Sequence, residues 1–174
     1  AVMIGLGTII NTVAVIVGGL LGMLLKNGVA GRFEKILMQA LGLATIFIGA
    51  SGVFKYMLIV ENGSIATRGT MLLIFSLVLG CLLGQWLDIE AKMEILGIKL
   101  KALVGMKNDS RFVEGFVTAS LIVCVGAMAI VGSLNSGLSG DHSMLFTKSL
   151  LDLISSIVFA SSLGVGVLFS ALCV

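Results

Sequence analysis

Charge is what this sequence has least of. Only 11% of its 174 residues are Asp, Glu, Lys or Arg, against about 25% in an ordinary soluble domain. Apolar residues make up 58% and the mean hydropathy is +1.18. A water-soluble body of this size cannot hide so much apolar surface, so the surplus faces lipid. The net charge of +2 is small and scattered, which excludes the clustered basic footprint of a nucleic-acid binder. Histidine is nearly absent, and the single His142 has no companions for a zinc pattern. The three cysteines, Cys81, Cys124 and Cys173, are odd in number and sit inside apolar runs. A disulfide framework or metal site is therefore not expected, and the thiols read as small buried apolar groups. Nucleotide loops are missing too, since no GxxxxGK[ST] or GxGxxG follows the GLG at 5–7 or the GVG at 164–166. Asp141 and His142 lie together without a nucleophile elbow. No cofactor and no enzymatic activity are expected.

What is present is a series of long apolar runs. A helix crossing about 30 Å of hydrocarbon needs roughly 20 residues. Runs at 2–25, 36–54, 69–87, 115–134 and 153–174 meet that measure. They do not alternate as barrel strands would. The first run carries no charge and no basic leader segment, and it exceeds the length of a cleaved signal core, so it reads as a span. The predicted fold is all-α, a polytopic bundle of about five spans forming one membrane domain. Of the eleven Lys and Arg, Lys26, Arg32 and Lys35 fall in the first connection, and Lys92, Lys99, Lys101, Lys107 and Arg111 in the third. The second holds Lys55 and Arg68 and the fourth Lys148. The positive-inside rule then puts the first and third connections in the cytoplasm and the N-terminus outside. Within the third connection, Ile89, Met93, Leu96, Leu100 and Leu103 recur at helical spacing. This predicts an amphipathic helix over 89–105, lying on the cytoplasmic membrane face or binding a partner. The Gly/Ser-rich 135–143 reads as an outer loop.

The sequence repeats itself. Residues 7–25 over 69–87 align Gly7 with Gly69, Thr8 with Thr70, Gly18 with Gly80 and Gly22 with Gly84. IFIGA at 46–50 falls over VCVGA at 123–127. The fifth run follows with Ser149, Ala160, Leu163 and Gly164 at matching places. The pattern predicts tandem two-helix units, with a third begun by the fifth span. Such repeats are common in transporters, where sites form at the repeat interface.

Gly18 and Gly22, Gly80 and Gly84, and Ala160 and Gly164 are small-xxx-small pairs that let helix backbones approach closely. Thr8, Asn11 and Thr12 share a face of the first span, and Asp152 and Ser156 share a face of the fifth. Together they are the candidate path for an ion or polar solute. Asn11, about 14 Å beyond Val2, needs a partner that is another helix, a backbone group, water or a solute. Asp152 is either a charge in the first turn of the fifth span, favoured by the helix dipole, or a proton or cation site.

Four segments carry a family likeness: MIGLGTIINTVAVIVGGLLG at 3–22, MQALGLATIFIGASG at 38–52, RFVEGFVTASLIVCVGAMAIVGSL at 111–134 and TKSLLDLISSIVFASSLGVGVLFSA at 147–171. The chain resembles the uncharacterised bacterial inner-membrane proteins of the YqgA/YdfK type, over nearly its whole length. The resemblance implies a multi-pass inner-membrane protein and roughly two further spans beyond the point matching Val174. It also implies proline where Ala127 and Cys173 stand here; since this chain has no proline, the kink expected at 127 should be missing. The sequence thus predicts a transporter or channel for an ion or small polar solute, homo-oligomeric because a few short helices enclose little path. The alternative is a membrane-embedded scaffold or sensory subunit that binds a partner through its cytoplasmic face.

Overall fold

A computed structural model of the chain describes residues 5–25, 31–61, 63–105, 111–124 and 126–174. The first apolar run forms α1 (Leu6–Leu24), and the second lies within α2 (Gly31–Met57). A hairpin follows, β1 (Leu58–Glu61) and β2 (Ser64–Thr67), then α3 (Thr70–Leu87) and α4 (Ile89–Leu103). The rest is helical: α5 (Phe112–Cys124), α6 (Ala127–Ser139), α7 (Ser143–Leu163), α8 (Gly166–Phe169) and a 3₁₀ turn at Ser170–Leu172. Long apolar runs become helices because in lipid each backbone N–H and C=O must find its partner within the segment. Four of the helical stretches are long and apolar enough to cross a membrane alone, or five if the α5–α6 pair, bent by 51°, is one span. Together they make a mostly helical membrane protein.

The chain divides into two compact units, one of residues 39–89 and one of 1–38 with 90–174. In the first, the end of α2 leads into the antiparallel hairpin, paired from Leu58 with Thr67 to Glu61 with Ser64. The pair Asn62-Gly63 between two β-prone runs is a strong hairpin signal, and Gly63 takes the left-handed φ of +77° that such a turn uses. None of the residues of α3 is buried.

The larger unit is built on α1 and α7. A Cβ placed on Gly7 would meet Leu145, one on Gly18 would meet Leu153 and Ser156, and one on Gly22 would meet Ile157 and Ala160. Contacts rise together along both helices, so α1 and α7 run parallel with backbones in close approach. Around this seam, Val15 packs with Val123 and Ala171, and Ala119 with Ala160 and Val167. Phe112 and Phe116 are fully buried.

Three features differ from the sequence reading. The bend at 124–127 is present without proline, because Gly126 is extended (φ −75°, ψ 146°) and interrupts the helical ladder. The segment 135–143 is mostly helix, with α6 continuing to Ser139 and ending on left-handed Gly140. The last run does not span 153–174. The helix starts ten residues earlier, at Ser143, and stops at Gly164, whose φ of +78° suits glycine alone. Beyond it α8 crosses α5 so closely that a Cβ on Gly166 would lie 2.1 Å from the Phe112 carbonyl oxygen.

Candidate functional site

The α1–α7 seam carries polar groups where lipid-facing helices would carry none. Asn11 on α1 is 3% exposed, and Lys148, Ser149, Asp152 and Ser156 on α7 are all buried. Lys148 Nζ donates to Asp152 Oδ2, one helical turn away, closing a buried ion pair. The pair explains why α7 begins before the uncharged run: opposite charges at i and i+4 neutralise one another, so one helix can carry both into the bundle. Asp152 accordingly lies about 14 Å beyond Ser143 and not in a first turn, and Lys148 belongs to the span and not to the connection before it.

Asn11 is buried in the seam, and its Oδ1 has no partner among the described residues. Ser156, fully buried beside Gly18, has an Oγ in the same condition. An acceptor buried without a donor costs on the order of 1–3 kcal/mol, so these two atoms stand out in a seam that is otherwise satisfied. Thr12 returns its hydroxyl to the Thr8 carbonyl at 3.0 Å, and Ser149 to that of Leu145 at 2.7 Å. This is the usual local solution for a hydroxyl inside a helix.

Beside Asn11 lies a cavity of about 210 Å³, which Thr8, Asn11, Cys124, Ala129, Ser133 and Cys173 help to line. Cys124 is the last residue of α5 and Ala129 belongs to the first turn of α6. The cavity therefore sits at the bend between α5 and α6. A broken helix leaves carbonyls free at one end and N–H groups at the other, with partial negative and positive charge respectively. Irregular backbone at membrane depth is tolerated where it is buried in protein or lines a wet cavity. Two thiols face this space, and Ser120 Oγ contacts Cys173 Sγ at 3.7 Å.

Of the residues singled out from sequence, Thr8 and Asn11 line the cavity together, whereas Thr12 on α1 and Asp152 and Ser156 on α7 do not reach it. Gly18, Gly22 and Ala160 lie in the seam itself. Gly164 instead ends α7, and a Cβ added at Gly80 or Gly84 would meet nothing within 4 Å. Lys148 is the residue that sequence reasoning misses, although its i, i+4 spacing to Asp152 is visible there. At the other end of α7, Arg111 Nη1 donates to the Ser162 carbonyl at 3.0 Å and Ser162 Oγ donates to Glu34 Oε1 at 2.6 Å. The cation there meets the negative end of the helix dipole.

A family model described as "Protein of unknown function (DUF554)" matches residues 6–174. The chain belongs to this family. It is 35% identical over 166 residues to a Bacillus subtilis (strain 168) relative called "Uncharacterized membrane protein YdfK", covering 95% of this chain and 66% of that one. It is 28% identical over 166 residues to "Uncharacterized protein YqgA" of Escherichia coli (strain K12), covering 93% and 66%. The chain thus spans 66% of the length of each of these DUF554 relatives. No solved structure matches it.

Proposed function

We propose that this DUF554 chain carries an ion or small polar solute across the bacterial inner membrane, without chemical conversion, as a homo-oligomer. The observation that carries this reading is the orphan Asn11 oxygen beside a cavity at the bend between α5 and α6. Discontinuous helices, buried ionisable groups and repeated units are the parts from which secondary transporters build their midplane sites. In liposomes holding the purified protein, flux of at least one member of a panel of ions and small polar solutes is expected. Asn11→Ala and Asp152→Asn should each lower it about tenfold or more per folded molecule, which corresponds to about 1.4 kcal/mol. No flux from wild type, or a flux that both variants leave unchanged, would remove the reading.

The same proposal places the N-terminus outside. With Lys148 inside α7, the second and fourth connections retain only Lys55 and Arg68, and the positive-inside bias toward the first and third grows. A single reporter cysteine at Glu61 should label in intact cells, and one at Lys99 only after the membrane is permeabilised. The reverse pattern would invert the topology.

A further inference from the structure

We infer that Cys124 and Cys173 are a redox pair that closes reversibly into a disulfide between the end of α5 and the Ser170–Leu172 turn. The inference goes beyond transport and does not require it. In the sequence the three cysteines read singly, but the fold sorts them. Cys81 is exposed in the smaller unit, whereas Cys124 and Cys173, both partly buried in the larger one, line the same cavity.

Proximity comes from α5 and the turn packed on it. Ser120 Oγ donates to Cys173 Sγ at 3.7 Å. Cys124 lies one helical turn beyond Ser120, so the two share a face of α5 with Cβ atoms about 5–6 Å apart. A sulfur held against the first is therefore beside the second. The neighbouring residues agree, since Val123 and Ala171 belong to one buried cluster and Cys124 packs against it. A disulfide asks for Cβ atoms about 3.5–4.5 Å apart, and the backbone here has room to supply the last adjustment. Cys124 ends α5 just before the extended Gly126, and Cys173 follows a 3₁₀ turn, so neither is held inside a long helix.

Reach and chemistry follow. The cavity is half open, which admits a small disulfide. One cysteine thiolate attacks a sulfur of that disulfide, forming a mixed disulfide and expelling one small thiol. The second cysteine thiolate then attacks the protein sulfur of the mixed disulfide, forming the Cys124–Cys173 bond and expelling the other. Each departing thiolate takes up one of the two protons lost by the cysteines, so two thiols are oxidised as one disulfide is reduced. Thr8 and Leu145, in the first turns of α1 and α7, also line the cavity. Under the topology proposed above, the pair then sits toward the outer face, the side where disulfides persist. Once closed, the bond would tie the α5–α6 bend to the segment after α8 and hold the bend fixed.

The test is run on protein in nanodiscs, exposed to hydroxyethyl disulfide, alkylated and mapped by mass spectrometry. A Cys124–Cys173 linked peptide should rise at least about tenfold over the untreated sample, vanish on reduction, and persist in Cys81→Ser. In Cys173→Ser, Cys124 should instead keep the hydroxyethyl adduct, the intermediate left without its resolving thiol. Unfolding in dodecyl sulfate before treatment should lower the linked yield about tenfold in favour of adducts on both cysteines, because their high effective concentration is then lost. Stable adducts on Cys124 and Cys173 in the folded wild type would show the two sulfurs out of reach and overturn the inference. Two untouched thiols beside a modified Cys81 would overturn it too, as would equal linkage in folded and unfolded protein.

Discussion

Lys148→Met, with Asp152 left in place, is expected to cost about 3–5 kcal/mol of stability in mixed micelles, the usual penalty for stranding one partner of a buried pair. Asp152→Asn should cost less. A lysine stem is long enough to carry its ammonium toward the interface, and Lys148 lies only about 8 Å beyond Ser143. An aspartate has no such reach, and the Asp152 side chain is 7% exposed. The double variant Lys148→Met/Asp152→Leu should recover most of the loss, because two apolar groups of similar volume need neither partner nor water. The measurement is a double-mutant cycle from reversible unfolding curves. A coupling energy of about 2 kcal/mol or more marks the pair as one unit, and additivity would show that the two charges do not depend on each other.

The second large effect concerns glycines. Gly22→Ala should lower stability by about 1–3 kcal/mol or more, since the added Cβ would lie 2.4 Å from the Ile157 carbonyl oxygen and 2.8 Å from Ala160 Cβ. Backbone cannot rotate away as a side chain can, so α1 and α7 would have to separate along their length. Gly166→Ala should be at least as severe, with the Phe112 carbonyl oxygen at 2.1 Å. Gly80→Ala supplies the contrast. It lies in the matching helix of the repeat but has open space around it, so it should be neutral or stabilising by up to about 1 kcal/mol through helix propensity alone. Comparable losses at Gly22 and Gly80 in thermal melts would sink this account.

That contrast shows what can be read from sequence and what cannot. The spans are legible because lipid imposes a length and a composition on every crossing. The small-residue pairs are legible as a capacity for close packing, but Gly22 and Gly80 read alike, and only tertiary contact separates them. Gly164 looks like the second member of a seam pair with Ala160, whereas its backbone conformation makes it the end of α7. IFIGA and VCVGA align, yet α2 continues through Gly49 while the helix is interrupted at Gly126. The difference lies in neighbours: a Cβ on Gly49 would meet none within 4 Å, but past the break Gly132 presses on Leu145 and Met144 of α7. Asn11 is conspicuous as a deep polar residue, and Asp152 as the lone acid adjoining a span. Their place in one seam depends on two helices far apart in sequence, and Lys148 is hidden because a charge near a run's edge reads as loop.

The seam between α1 and α7 also sets a schedule for biogenesis. Gly22 and Ala160 touch, but a ribosome adding about 5–20 residues per second needs on the order of ten seconds to pass from one to the other. Through that interval the first helix waits in the bilayer with its asparagine and its glycine face uncovered. Nascent chains that stall before α7 would be natural clients for chaperones and proteases that survey the membrane, and the buried charges of α7 must be released from the translocon beside a partner already waiting.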